Sequence, residues 1–194
     1  MKKLLMITMA LVLSMSSAAL GHEWKIDPNH AAIMFEIKHI YSATRGHFND
    51  FEGTVFFDPA QPEKSRAEFT VKVDSIYTAI PKRDNHLRSN DFFATKKYPE
   101  MTFTSTRVVR KNGNRYLLEG DMTVKDVTKR MQLEFVFLGE RQDVFNKGRM
   151  VGGFDTRFTI DRLAFNVGNG KFVEKGVIGQ MVDVYISLEM TRKK

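Results

Sequence analysis

The residues in this 194-residue sequence that could do chemistry are five histidines and one mixed polar segment. His39 follows Ile33, Phe35 and Ile37 at every second position, so it shares their apolar face. That placement suits either a hydrogen-bonded core imidazole or a polar anchor facing a ligand. His47, between Gly46 and Phe48, belongs to the next extended run and is expected to face solvent. The two imidazoles could meet across a hairpin, but without a third ligand they make a weak metal site. His30, after Asp27-Pro28-Asn29, reads as a hydrogen-bonded turn or strand start. His22 would stand at the mature N-terminus, where an amine and an imidazole bind copper only adventitiously.

The densest constellation runs from Arg83 to Phe93 and combines Arg83, Asp84, His86, Arg88 and Asp91 with Leu87, Phe92 and Phe93. It can be a lid, with the apolar side chains covering a core while Asp84 and Asp91 pair with arginine or cap amides. The functional alternative is a mouth that recognises a polar head group, although a segment packed over an open barrel needs such hydrogen bonding in any case. No HExxH, GxSxG, Walker A, GxGxxG or EF-hand pattern accompanies it. Gly168-Asn169-Gly170-Lys171 reads as a turn. Without cysteine, thiol catalysis, disulfides and thiolate metal sites are excluded. The sequence therefore points to a protein that is not an enzyme, needs no cofactor and has no metal site; the alternative is an enzyme with His39 or His86 as general base.

The elements that must position these groups alternate with period two. Ala67, Phe69, Val71 and Val73 oppose Glu68, Thr70 and Lys72; Met131, Leu133, Phe135 and Phe137 oppose Gln132 and Glu134. Phe154, Phe158 and Ile160 form one face of a further run, and Val182, Val184, Ile186, Leu188 and Met190 one face of the last. Such runs are half-buried antiparallel strands. Asn112-Gly113 supplies the positive φ of a tight hairpin, and Asp58 to Pro62 makes another strand connection. About eight strands of this kind close into a barrel or stack as a sandwich. Helix is confined to Lys82–Thr95, with Asp84 as its cap.

Composition narrows the interior. Phe occurs 16 times against five Tyr and one Trp, so most aromatic surface has no polar handle and belongs inside. Lys2 and Lys3 precede the apolar run Leu4–Leu13 and small residues up to Gly21, which together read as a secretory signal peptide over residues 1–21, cleaved after Gly21 or after Ala19. The apolar run is shorter than the ~20 residues a spanning helix needs. The mature domain, 22–194, is then a single soluble unit. Two of the net +7 charges leave with the signal peptide, and the rest are interleaved with carboxylates. Nucleic acid is accordingly not an expected partner, whereas transient contact with an anionic membrane is allowed.

The segment Ser75–Thr106, SIYTAIPKRDNHLRSNDFFATKKYPEMTFTST, resembles the central signature of the YceI-like, polyisoprenoid-binding family. Trp24-Lys25-Ile26-Asp27-Pro28-Asn29-His30, the series Phe35, His39, Gly46, Phe48 and Gly53, and Gly120 to Thr128 are similar to its opening and later blocks. Four positions depart from the family pattern: Ala164 and Asn166 stand where an acidic residue and glycine are frequent, and Asp126 replaces a frequent glycine. Ala31 also stands where serine is common.

This resemblance implies an all-β, lipocalin-like, eight-stranded antiparallel barrel. It would be periplasmic in a Gram-negative envelope and hold a polyisoprenoid, an isoprenoid quinone or a fatty amphiphile in its lumen. An envelope-stress interaction protein is the remaining alternative, and a homodimer is left open. The expected wall is Phe35, Ile37, Phe69, Val71, Phe103, Phe135, Phe137, Phe158, Val184 and Ile186, with His39, Arg83, Asp84 and His86 at the head group or entrance. Strands of ~8 residues rising ~3.3 Å each give a lumen about 25 Å long. Burying ~400 Å² of tail at ~25 cal/mol per Å² yields about 10 kcal/mol before ordering costs.

Overall fold

The computed structural model describes residues 22–194; the signal peptide read from the sequence lies outside the described residues. In chain order the elements are β1 (His22–His39), β2 (Ser42–Phe48), β3 (Phe51–Phe57), β4 (Arg66–Lys72), β5 (Ile76–Tyr77), α1 (Pro81–Arg88), β6 (Glu100–Asn112), β7 (Arg115–Val124), β8 (Val127–Gln142), β9 (Arg149–Asp161), α2 (Lys171–Glu174) and β10 (Ile178–Lys193). Every pairing is antiparallel, and β10 returns to pair with β1 from Lys25↔Thr191 to His39↔Ile178. The sheet is therefore closed.

Ten strands make eight staves. β3 pairs with the start of β1 (His22↔Phe57 to Lys25↔Thr54) and β2 with its end (Ile33↔Phe48 to His39↔Ser42), so β2 and β3 are one stave broken at Asn49-Asp50. β5 and β4 repeat the break beside them, pairing with β2 and β3 respectively. The circuit β1-β3-β4-β6-β7-β8-β9-β10 is the eight-stranded antiparallel barrel that the resemblance implied.

Alternation places the two faces. The base of the barrel is filled: Trp24 (1% exposed) meets Phe154 and Phe137 edge-on at 5.5 and 6.3 Å, and Phe57 lies 5.1 Å from both Tyr116 and Phe137. Edge-to-face packing of this kind adds to what burial alone contributes. The indole Nε1–H donates to the Phe57 carbonyl at 3.4 Å. The Arg192 guanidinium lies 5.3 Å from the Trp24 ring centre, held by a bidentate pair with Glu140 at 2.8 Å. At the other end α1, the turns that follow it and the short 3-10 turn Leu163–Phe165 form a roof, with Phe92, Val124, Phe165 and Val167 buried beneath it.

Local chemistry departs from the sequence reading in four places. The β6–β7 turn centres on Gly113-Asn114, one residue later than expected, because a register shift between Arg110 and Asn112 leaves Asn112 paired with Arg115. The helix is Pro81–Arg88, shorter than Lys82–Thr95, and Asp84 does not cap it; Asp84 is buried and accepts the Thr78 amide at 2.9 Å and the Thr78 hydroxyl. Asp91 pairs with His86 at 3.0 Å, and neither aspartate forms an ion pair with arginine among the described residues. His39 and His47 do not meet: His39 lies opposite Ser42 and His47 opposite Met34.

Trp24→Ala should cost about 3–5 kcal/mol, because the base cannot collapse into the volume left by the indole. Urea unfolding should show a lower midpoint with the slope against denaturant unchanged.

Candidate ligand site: the barrel lumen

A cavity of about 320 Å³ runs inside the sheet from the aromatic base to the roof. It is within the usual range for small-molecule sites, at its smaller end. Its lining is chiefly Phe, Ile, Leu, Val and Met. Of the residues expected to form the wall, Phe35, Ile37, Phe69, Val71, Phe103, Phe135, Phe158, Val184 and Ile186 border it, as do His39, Arg83 and His86. Two do not. Phe137 is 8% exposed and packs against Trp24, Phe57 and Phe154, so it fills the base. Asp84 is turned toward Thr78 instead.

Three phenylalanines stay against the wall because glycine on a neighbouring strand makes room for their rings. A Cβ built on Gly46 would sit 2.4 Å from the Phe35 ring, on Gly53 2.3 Å from Phe69, and on Gly120 2.4 Å from Phe103. Phe35↔Gly46 and Gly53↔Phe69 are direct cross-strand partners. Each ring thus covers the backbone of the adjacent stave. The lumen is left open where an ordinary side chain on that stave would have pushed the ring inward.

Arg83 and His86 border the cavity at the roofed end. Arg83 donates through Nε to the Thr78 hydroxyl at 2.7 Å and through Nη2 to the Thr78 carbonyl at 2.5 Å. His86, its side chain 47% exposed, packs edge-on to Phe92 at 5.0 Å. Arg88 anchors α1 by donating to the carbonyls of Asp74 and Ile76, each at 2.7 Å. Lys125 Nζ donates to the carbonyls of Phe92, at 2.8 Å, and Asn166. Burial holds the Lys125 ammonium below its ordinary pKa.

Arg162, buried at 5% exposure just beyond β9, also borders the cavity. Sequence reasoning missed it. The usable signal was its place in the alternation, two positions after Ile160 on the inward face.

One further cluster lies on the exterior, where β1 bulges. Asp27, His30 and Glu189 bring ligand atoms within 4.8 Å of one another and are, among the described residues, the group that could hold a metal ion. His30 Nδ1 is 3.1 Å from Asp27 and 3.8 Å from Glu189. The hydrogen bond to Asp27 raises the His30 pKa and lowers that of Asp27. The His30 side chain is 63% exposed, so solvent screens the interaction.

A closed antiparallel barrel with a filled base, an apolar lumen and a short helical roof is the class that fold and site define. The chain belongs to the YceI-like family, whose domain model matches residues 24–190. It is 39% identical to a UPF0312 protein of Photorhabdus laumondii over 100% of this chain and 98% of that one. It is 37% identical to protein YceI of Escherichia coli O157:H7, covering 100% of this chain and 99% of the relative. Among solved structures it is similar to Burkholderia cenocepacia BcnA, with a TM-score of 0.76 and 26% identity over 84% of this chain and 98% of that one. A polyisoprenoid-binding domain from Saccharophagus degradans shares the fold, with a TM-score of 0.64 and 15% identity over 87% of this chain and 98% of that one.

The glycine–phenylalanine contacts are testable. Gly53→Ala should cost about 1–3 kcal/mol by overpacking and should reduce the lumen's capacity for an apolar probe. Combining it with Phe69→Leu should recover part of both losses, so the double variant will be less impaired than the sum of the singles, as read by thermal unfolding and probe fluorescence.

Proposed function

We propose that this chain is an exported, periplasmic binding or carrier protein that holds the tail of a long-chain isoprenoid or similar amphiphile inside the barrel. The observation that carries this reading is the apolar cavity that runs through the sheet, with Arg83, His86 and Arg162 bordering it at the roofed end. A tail in that cavity leaves water on all sides, while a head group meets hydrogen-bonding side chains. The polyisoprenoid-binding domain that shares the fold supports the ligand class, and the charged, apolar and small-residue regions of residues 1–21 support export. Isoprenoid quinones and fatty amphiphiles fit the same description. The work done is partition: apolar burial supplies the affinity, and the barrel needs no covalent step or cofactor to supply it.

Protein purified under native conditions, extracted with organic solvent and subjected to mass spectrometry should yield an amphiphile in near-stoichiometric amount. Preparations that repeatedly carry none, and gain none from lipid extracts, overturn the reading. Ile186→Trp, which fills the middle of the lumen, should abolish uptake while the barrel still folds. The intact mass of the exported chain should begin at His22; a chain retained unprocessed in the cytoplasm overturns the proposed location.

A further inference from the structure

Among the polar groups at the roofed end of the lumen, Arg162 is the one that keeps a buried side-chain donor without a hydrogen-bond partner among the described residues. Its backbone amide donates to Gln180, and its own carbonyl accepts from Phe165 and Val167, so the residue is fixed between β9 and the Leu163–Phe165 turn. The side chain then turns inward. Nε donates to the Gly179 carbonyl at 2.9 Å and Nη1 to the Val167 carbonyl at 2.7 Å, while Nη2 is buried with no hydrogen-bond partner. The guanidinium carbon lies 6.0 Å from the Phe92 ring centre. A Cβ on Gly168, at φ +85°, would fall 2.3 Å from Nη1, so the Val167–Gly168 backbone cradles the group at a position where no side chain fits.

The two carbonyl partners satisfy donors but bring no counter-charge, and Asp161, beyond ion-pair distance, offsets the guanidinium only in part through space. No carboxylate lies within ion-pair distance among the described residues. The adjacent Asp161 takes Gln180 at 2.7 Å and the amides of Leu163 and Ala164. Asp84 is occupied by Thr78 and Asp91 by His86, and Ala164 offers no acid. The guanidinium cannot shed its proton to escape burial. A buried cation of this kind is matched by an anion, and the cavity it borders is where one can arrive.

We propose that Arg162 is the head-group anchor of the lumen, where Nη2 takes an oxyanion head, a carboxylate or phosphate monoester, of an amphiphile whose tail lies along the cavity toward the aromatic base. This deepens the carrier reading and rests on it. It selects, among amphiphiles with the same tail, those with an anionic head. A planar guanidinium with one free nitrogen gives a charge-assisted hydrogen bond to either kind of oxyanion.

The test compares ligands that share a tail and differ in head: farnesyl monophosphate against farnesol, and dodecanoate against its methyl ester, each displacing a fluorescent apolar probe. The wild-type protein should bind the oxyanion member at least about tenfold more tightly, or about 1.4 kcal/mol, in one or both pairs. A preference in one pair alone identifies the head as phosphate or carboxylate. In Arg162→Gln the preference, read as the ratio of the two affinities within each pair, should fall to within about threefold, and Arg162→Lys should restore part of it. Equal binding of both members of both pairs by the wild-type protein overturns the anchor, a result that does not depend on any variant folding. Failure of all four ligands to displace the probe overturns the carrier reading itself.

Discussion

Everything inside this protein depends on the pairing of β10 with β1. Once those strands join, every stave has a neighbour on both sides and the backbone groups of the wall are satisfied within the sheet. An apolar interior can then be kept partly empty without exposing unpaired amides or carbonyls to it. The same pairing carries the roofed end of the lumen, because it brings His39 opposite Ile178 and β10 into line with the carbonyl of Gly179 that receives Arg162. An open sheet of the same strands would have two edges and no lumen.

Closure alone does not leave space; the aromatic side chains determine how much remains. Phe57, Tyr116, Phe137 and Phe154 form a continuous set of ring contacts with Trp24 and fill the base, and Phe135 stacks on Tyr116 at the point where filling gives way to lining. Phe35, Phe69 and Phe103 have the same side chain and the same inward direction, yet lie flat over glycines. The difference is made by the neighbouring stave, not by the phenylalanine itself. Gly46, Gly53 and Gly120 are therefore residues of the lumen although they contribute no atoms to its surface.

This explains which parts were legible in the sequence. Period-two alternation identified the strands and their inner faces, since a one-residue error would have exposed every apolar side chain on the stave. It could not separate lining from filling, because Phe137 and Phe135 are equivalent in pattern and differ only in the partners that closure brings to them. The broken staves were hidden for a related reason: β2 and β3 share one partner strand, a fact of three-dimensional register. Asp84 misled as a helix cap because the competing amide of Thr78 comes from the segment before the helix. Arg162 was overlooked because an arginine at a strand end ordinarily faces water; its burial follows from the turn at Leu163–Phe165.

Three of the departures from the pattern that the resemblance implied, Asp126, Ala164 and Asn166, meet at that same turn. Asn166 adopts φ 56°, ψ 27°, a left-handed conformation that glycine occupies freely and asparagine tolerates better than most residues. Its amide donates to Asp126 at 3.2 Å, so two positions where glycine is frequent are here joined by a side-chain bond. That bond also lowers the Asp126 pKa. The contact is exposed and worth little alone, but Lys125 beside it ties the carbonyl of Asn166 to that of Phe92. The β7–β8 hairpin, the turn that presents Arg162 and the lid are thus one connected unit. The Phe92 ring lies 6.0 Å from the Arg162 guanidinium carbon, and the carbonyl of the same Phe92 is held by that unit, so Arg162 and the lid are tied through a few charge-assisted bonds outside the lumen.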